Sequence, residues 1–333
     1  MATAELQPEP FPRAVAERWT GYAFGVVLEC DDVFPGVMPT TSAASGRSAS
    51  WREVSREEIE GAWRPDAGEI LFERRHPDGR LFLQVDTRSE LGFRIWAPYY
   101  GRHLVDLDGQ AIASALPRVP PVRWQRLFFA QVLPLAAALQ GMSLFHASAV
   151  AMGGRVLPFI GPSGIGKTSL TAHLVSLGAS FFTDDVLALE PRPGGVLAHP
   201  GPARLSIDDR ELRRIPSAQA PRLGPCLGRS DKLMLATQPV ETPLPVACLY
   251  YLRPDSEATH IVIEERRTEP GRTLLGSSFI NYLRSPGYLE RHLVISAALD
   301  ASVQLYDIRI PRGFRPRDIA ARVLEHRDEL SGR

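Results

Sequence analysis

Lysine is almost absent from this chain. Of its 38 lysine and arginine residues only two are lysine, Lys167 and Lys232. Arginine carries every other fixed side-chain positive charge, so a position that keeps lysine is a candidate for a compact ammonium group, which a planar guanidinium does not replace. Composition alone favours neither a functional role nor a chance surface position for Lys232.

Three other features are missing. The net charge is zero, so no overall field attracts nucleic acid or an anionic membrane, and neither partner is expected. The longest apolar stretch, residues 127–139, is too short to span a bilayer, and the first ten residues are acidic and proline-rich, unlike a signal peptide. Cysteines are odd in number and scattered, which excludes a disulfide framework or a zinc pattern and favours a reducing cytoplasm: Cys30, Cys226 and Cys248.

One motif stands out against this background. Residues 161–168 read G-P-S-G-I-G-K-T, which matches the phosphate-binding pattern G-x-x-x-x-G-K-[ST], and we call them the glycine-rich loop. An apolar run at 156–160 predicts a strand before the loop, and residues 168–175 predict a helix after it. The glycines allow backbone N–H groups to turn toward a polyphosphate at the helix N-terminus.

The motif predicts ATP with Mg²⁺ as ligands. Lys167 is expected to reach the β- and γ-phosphates, and the Thr168 hydroxyl is expected to bind Mg²⁺. The candidate nucleotide-binding residues are Gly161, Pro162, Ser163, Gly164, Ile165, Gly166, Lys167, Thr168, Ser169 and Lys232.

The pattern along the chain predicts an α/β protein with three parts. Residues 1–118 contain short alternating apolar runs and form a β-rich N-terminal module. Residues 119–140 have helical periodicity and form a connecting helix. Residues 141–333 alternate between strands and helices and form the catalytic domain, with helices at about 272–284, 286–300 and 315–330.

A histidine is predicted to lie beside the glycine-rich loop. Residues 145–152 read as a strand, and Gly153-Gly154 reads as a two-residue hairpin turn into the next strand. In that register residue 152 pairs with residue 155, and His146 lies opposite Gly161. A one-residue bulge would turn the imidazole away.

Two adjacent carboxylates, Asp184 and Asp185, follow the helix. They fall within residues 180–190, a β-favouring run that predicts one continuous strand, although paired aspartates also occur in turns. Neighbouring side chains of a strand point to opposite faces, so one carboxylate is expected to face metal or substrate and the other to support it. The pattern leaves open which one is the base.

Taken together, these residues resemble the HPr kinase/phosphorylase family, and more closely the shorter HPr-kinase-like proteins of peptide biosynthesis clusters, including lasso peptide kinases. The resemblance covers about 141–333 and is specific over 145–190: His146 in a strand, a hairpin, the glycine-rich loop, then Thr-Asp-Asp at 183–185. It implies a P-loop kinase core of the HPr kinase/phosphoenolpyruvate-carboxykinase-like type. It also raises a homo-oligomer as an open alternative, because HPr kinases are hexamers.

The resemblance implies roles for several residues. Asp184 would be the general base toward a substrate hydroxyl, and His146 and Asp185 would support it and the metal, with Asp185 and Thr168 as metal ligands. Lys232 stands where such proteins place a basic residue that contacts the nucleotide. Ser169 replaces the family's glutamate, and residues 202–206 lack its glycine-rich signature, so HPr itself and the reverse phosphorolysis are not implied.

Phosphoryl transfer needs phosphate binding, a metal and a base in line with the γ-phosphate, and these residues provide them. The sequence therefore predicts an ATP-dependent kinase that acts on a hydroxyl, that of a serine in a peptide or protein, with a ribosomal peptide precursor as one candidate acceptor. A small-molecule kinase with the same core is an alternative. A second alternative is a nucleotide-sensing binding protein with little turnover.

Overall fold

A computed structural model describes residues 18–40, 46–63 and 68–331. The chain divides into two compact units. The first contains the described residues up to 140 except 23–25 and 35–38, which group with residues 141–331 in the second. Residues 1–17 of the predicted N-terminal module lie outside the described residues. Within the described ranges, no helix is both long enough and apolar enough to cross a membrane.

The first unit is built on one large sheet. Its nine described strands lie in the order β3-β1-β2-β4-β9-β8-β7-β6-β5. They are β1 (Trp19–Ala23), β2 (Val26–Cys30), β3 (Met38–Pro39), β4 (Ser48–Glu53), β5 (Glu69–Arg75), β6 (Leu81–Arg88), β7 (Gly92–Ala97), β8 (Gly101–Val105) and β9 (Ala111–Ala115). Strands β5 to β9 form an antiparallel meander, and β9 pairs in parallel with β4.

The predicted connecting helix belongs to this unit. Its helices are α1 (Arg56–Ala62), α2 (Pro121–Leu127) and α3 (Leu133–Leu139), with a π-helical turn at Phe128–Val132 between the last two. The Leu133 N–H bonds the Phe128 carbonyl five residues earlier, so the helix widens just before Pro134, which has no N–H to donate. The buried face of this helix packs on the sheet through an aromatic cluster: Phe34, Trp51, Trp124, Phe128 and Phe129.

A buried histidine next to this cluster has both ring nitrogens satisfied. His103 is fully buried, and its Nε2–H donates to the Tyr100 carbonyl at 3.2 Å. Its Nδ1 therefore accepts from the Ser114 hydroxyl at 2.8 Å, while the Trp51 indole N–H donates to that same hydroxyl. Burial lowers the pKa of His103 from 6.5 to about 4.

This shift predicts acid sensitivity of the first unit. Between pH 6.5 and 4 the unfolded chain binds a proton at His103 that the folded chain does not, so the free energy of unfolding falls as pH falls through this window. The variant His103→Asn has no group that titrates at this position, so its free energy of unfolding does not fall for this reason. We expect the difference in free energy of unfolding between wild type and variant, measured by urea unfolding, to be smaller at pH 4 than at pH 7 by about 3 kcal/mol. An equal difference at both pH values would contradict the assignment.

The second unit contains three described sheets. A six-stranded sheet has the order β13-β11-β12-β20-β22-β21, a four-stranded sheet β10-β14-β15-β19, and a three-stranded sheet β16-β18-β17. The strands are β10 (Ser143–Phe145), β11 (Ser148–Met152), β12 (Arg155–Ile160), β13 (Ser180–Thr183), β14 (Leu187–Arg192), β15 (Gly195–His199), β16 (Arg204–Ile207), β17 (Cys226–Arg229), β18 (Leu233–Ala236), β19 (Leu244–Pro245), β20 (Cys248–Pro254), β21 (Val262–Glu265) and β22 (Gln304–Ile310). The helices are α4 (Lys167–Ser176), α5 (Asp209–Leu212), α6 (Pro270–Leu275), α7 (Pro286–Ser302) and α8 (Pro316–Ser331).

The six-stranded sheet is covered on both faces, which explains why its central strands β11, β12 and β20 are mostly apolar. Leu157 and Phe159 of β12 enter one core with α4 and α8. Val156 and Ile160 of the same strand enter a second core with α6, α7 and the four-stranded sheet. The strand that leads into the glycine-rich loop is thus held from both sides. The chain is a mixed α/β protein with several sheets.

Predicted elements of this unit differ from the structure at two places besides the strand expected over residues 145–152. The helix expected at about 272–284 ends at Leu275, and residues 276–285 run as turns beside β10. The strand expected over 180–190 is two strands, β13 and β14, in different sheets. Hydrophobic periodicity gave the wrong element at both places because the backbone there pairs with segments that are distant in sequence.

Candidate active site

The glycine-rich loop joins the end of β12 to the start of α4, as the motif predicts. Gly161 has φ of 144°, and a Cβ there would lie 2.8 Å from the Leu252 carbonyl oxygen on the neighbouring strand β20. Gly166 has φ of 101° and precedes the first residue of α4. Both positions require glycine, which lets the backbone turn sharply at the N-terminus of a buried helix.

Lys167 is buried within this loop. Its side chain is 6% exposed, and its Nζ donates to the carbonyl oxygens of Gly161 at 3.0 Å and Pro162 at 3.3 Å. The middle of the loop, residues 162–164, is exposed. The ammonium therefore lies under a loop whose outer side is open to a ligand.

The Asp184 carboxylate accepts hydrogen bonds from two hydroxyl groups, one at the end of the glycine-rich loop and one on β11. The Thr168 hydroxyl donates to Asp184 Oδ1 at 2.9 Å, and the Ser148 hydroxyl donates to the same oxygen at 2.7 Å. Thr168 lies in the first turn of α4, and Ser148 is the first residue of β11. The two elements that follow and precede β12 thus hold one carboxylate between them.

Asp184 and Asp185 occupy a bend and not a strand interior, so the strand prediction is wrong here. The Val186 N–H bonds the Asp184 carbonyl at 2.8 Å, and Asp185 has φ of 65°, a left-handed conformation uncommon for aspartate. The Asp184 side chain is half-buried and the Asp185 side chain is exposed. The two carboxylates differ because the backbone turns between them.

His146 lies at the loop, though not by the predicted pairing. The hairpin register is as expected, with Met152 opposite Arg155, but pairing stops at Ser148 opposite Phe159. The strand is interrupted at residues 146–147. Strand β10, which precedes this interruption, pairs with β14 in the four-stranded sheet. His146 Nδ1–H instead donates to the Asp185 carbonyl at 3.1 Å.

A distant segment packs on the other side of this histidine. The His146 N–H donates to the Ser277 carbonyl at 2.6 Å, and the Phe279 ring stacks on the imidazole with centroids 6.2 Å apart. Residues 276–285 thus form part of the wall of the site instead of a helix.

The second lysine also reaches the site. Lys232 lies at the tip of the β17–β18 hairpin, where the Ser230 N–H bonds the Lys232 carbonyl at 3.1 Å. Residues 226–229 form strand β17 of this hairpin. The positive charge of Lys232 is close enough to lower the pKa of Asp184. Both lysines of the chain therefore interact electrostatically with Asp184.

The charges of the site influence one another. Burial and the neighbouring charge of Asp185 raise the pKa of Asp184 to about 7, against the lowering effect of the two hydroxyl hydrogen bonds. Burial lowers the pKa of Lys167, although both carboxylates oppose this effect. Burial and the charge of Lys167 lower the pKa of His146, so the imidazole is neutral at neutral pH.

The predicted site residues lie together around the glycine-rich loop, and the structure adds Ser148 to them. Ser169 lies in the first turn of α4, and Ile165 packs against the core beneath the loop. Ser148 was missed by sequence reasoning. Its spacing of two residues from His146 was an available signal, because residues i and i+2 share one face of an extended segment.

No protein-family model and no curated protein sequence matches this chain. Among solved structures, it is similar to the Hpr(Ser) kinase/phosphatase from Coxiella burnetii, at 14% sequence identity and a TM-score of 0.32 over 56% of this chain and 98% of that chain. A similarity of this size identifies neither an activity nor a substrate.

Proposed function

We propose that this protein is an ATP-dependent cytoplasmic kinase that transfers the γ-phosphate to a hydroxyl, that of a serine in a peptide or protein, with a ribosomal peptide precursor as one such acceptor. The observation that carries the proposal is the bond from the Thr168 hydroxyl to Asp184, directly beside Lys167. We infer that the second unit is a P-loop kinase core of the HPr kinase/phosphoenolpyruvate-carboxykinase-like type.

The glycine-rich loop would bind the phosphates of ATP. Its N–H groups and the N-terminus of α4 provide donors and a favourable dipole for an anion. Lys167 would exchange its bonds to two loop carbonyls for bonds to phosphate oxygens, and both its burial and its loop position suit that exchange. Lys232, at the hairpin tip, would add a second positive charge to the polyphosphate.

The oxygen donors of the site fit Mg²⁺. Thr168 and Asp184 present a hydroxyl and a carboxylate that already lie 2.9 Å apart, and Mg²⁺ prefers such ligands. When bound, the ion would neutralise charge on the β- and γ-phosphates. This assigns the metal to Asp184, whereas the family resemblance assigned it to Asp185.

Asp185 is then the better candidate for the base. Its carboxylate is exposed, and neither of the hydroxyl groups that hold Asp184 bonds to it. It would accept the proton as the O–H bond of the acceptor breaks. The acceptor oxygen would bond to the γ-phosphorus as the bond to the β-phosphate oxygen breaks and ADP leaves. His146 would hold the Asp185 backbone through its Nδ1–H.

Two variants separate these roles. We expect Asp185→Asn to bind ATP with Mg²⁺ normally and to lose phosphoryl transfer by about 100-fold or more, as for loss of a general base. We expect Asp184→Asn to raise the Mg²⁺ concentration needed for half-maximal nucleotide binding. Titration calorimetry and single-turnover transfer measure the two effects. The opposite pattern would return the base to Asp184.

The acceptor can be found with γ-labelled ATP. Purified protein and Mg²⁺ are incubated with an extract of the native host split into small-molecule, peptide and protein fractions, with Asp185→Asn as the control. Label in the peptide or protein fraction, absent with the variant, supports the proposal. Label in small molecules indicates a metabolite kinase. ATP binding with no labelled fraction favours a nucleotide sensor.

A further inference from the structure

Ser148 is a buried hydroxyl in an apolar setting. It is fully buried, and its neighbours in sequence, Ala147 and Ala149, are buried alanines. An unpaired hydroxyl at such a position would destabilise the fold, and alanine would avoid that cost. Ser148 instead donates to Asp184 Oδ1 at 2.7 Å, so its hydroxyl is matched to a single carboxylate oxygen.

Ser148 holds that carboxylate from a paired strand. Strand β11 lies between β12 and β13 in the six-stranded sheet, with Ser148 opposite Phe159 and Ala149 opposite Thr183. Thr168, the other donor, is the last residue of the glycine-rich loop and lies in the first turn of α4. Both donors thus lie on regular elements, which position side chains more precisely than loops do, and Ser148 adds a donor from a strand that is paired on both sides.

Both hydroxyl groups bond to the same oxygen. Ser148 and Thr168 converge on Oδ1, and no described residue donates a hydrogen bond to Oδ2 of Asp184. The carboxylate is thus held by one oxygen while the other keeps its capacity to accept a ligand.

We propose that Ser148 is a positioning residue for the divalent cation: it holds Asp184 by Oδ1 from a fixed strand and leaves Oδ2 to bind the metal that accompanies the nucleotide. The inference rests on the proposed Mg²⁺–nucleotide site. It assigns to Ser148 a role in metal affinity that a hydroxyl present only for folding would not have.

The test compares three variants of the full chain. Ser148→Ala removes the hydroxyl, and Ser148→Thr keeps it. Ser176→Ala is the matched control, because Ser176 is also a buried serine, but its hydroxyl donates to the His173 carbonyl in α4. The readouts are the melting temperature and the Mg²⁺ concentration that gives half-maximal ATP binding by calorimetry, with Mn²⁺ binding by electron paramagnetic resonance as a second measure.

We expect Ser148→Ala to raise the half-maximal Mg²⁺ concentration by about tenfold, the size expected for one hydrogen bond to a charged group. Ser148→Thr and Ser176→Ala should stay near the wild-type value, even where their melting temperatures fall. An unchanged Mg²⁺ requirement in Ser148→Ala would overturn the inference and leave the kinase proposal standing. A wild type that binds ATP with Mg²⁺ but transfers no phosphate would overturn the kinase proposal, and the Ser148 comparison would still be decided by binding.

Discussion

Lys167→Met is expected to abolish the rise in melting temperature that Mg²⁺ and ATP cause, and to reduce kcat/KM by about a thousandfold. Methionine has a similar length and no charge, so the change removes the ammonium while filling nearly the same buried space. In the wild type this ammonium lies within 3.3 Å of two loop carbonyls and interacts with both carboxylates of the site. Without it, no lysine remains in the loop to meet the phosphate charge.

Two further variants serve as controls for Lys167→Met. Arg155→Met removes an exposed positive charge from the β11–β12 hairpin and should leave ATP binding unchanged. Lys167→Arg keeps the charge, but a planar guanidinium does not match the position of a compact ammonium, so transfer should stay low. If Lys167→Met retained wild-type ATP affinity and transfer, the glycine-rich loop would not be the phosphate site.

Phe128→Ala is expected to destabilise the first unit by about 3–5 kcal/mol, the range for removing a large buried aromatic side chain. Phe128 is fully buried, stacks on Phe34 at 5.2 Å and meets Trp124 edge-on at 6.1 Å. Its removal leaves a cavity at the point where the widened helix packs on the sheet. We expect the melting temperature of the unit to fall by about 12–20 °C.

The matched control is Phe314→Ala, which removes an aromatic ring that is 38% exposed. That change should cost about 0.5 kcal/mol or less, as for most surface substitutions. Differential scanning calorimetry measures both variants. Equal shifts would show that the aromatic cluster does not carry the stability assigned to it.

Local patterns determined the centre of the second unit. The glycine-rich loop, its strand and its helix lie where the sequence predicted them, because the whole signal lies in one continuous stretch. The Gly153-Gly154 turn also set the pairing of β11 with β12, since a two-residue turn leaves one register. The scarcity of lysine pointed to Lys167 and Lys232, and the structure places both charges at Asp184.

The arrangement around this centre needed the tertiary structure. Asp184 and Asp185 lie in a bend because β13 and β14 pair in different sheets, which no run of β-favouring residues reveals. His146 is held by a hydrogen bond to Asp185 and by contacts with residues 277–279. These last residues lie more than 100 positions after His146 in the chain.

The proposed division of roles between the two carboxylates likewise depends on the tertiary structure. It follows from which of them meets the hydroxyls of Ser148 and Thr168, one on a strand and the other on a helix. Residue types and their spacing determined which chemical groups this protein brings to its site. Long-range strand pairing decided which aspartate oxygen the two hydroxyls hold, and this could not be predicted because backbone pairing between distant segments leaves no periodic signal in the sequence.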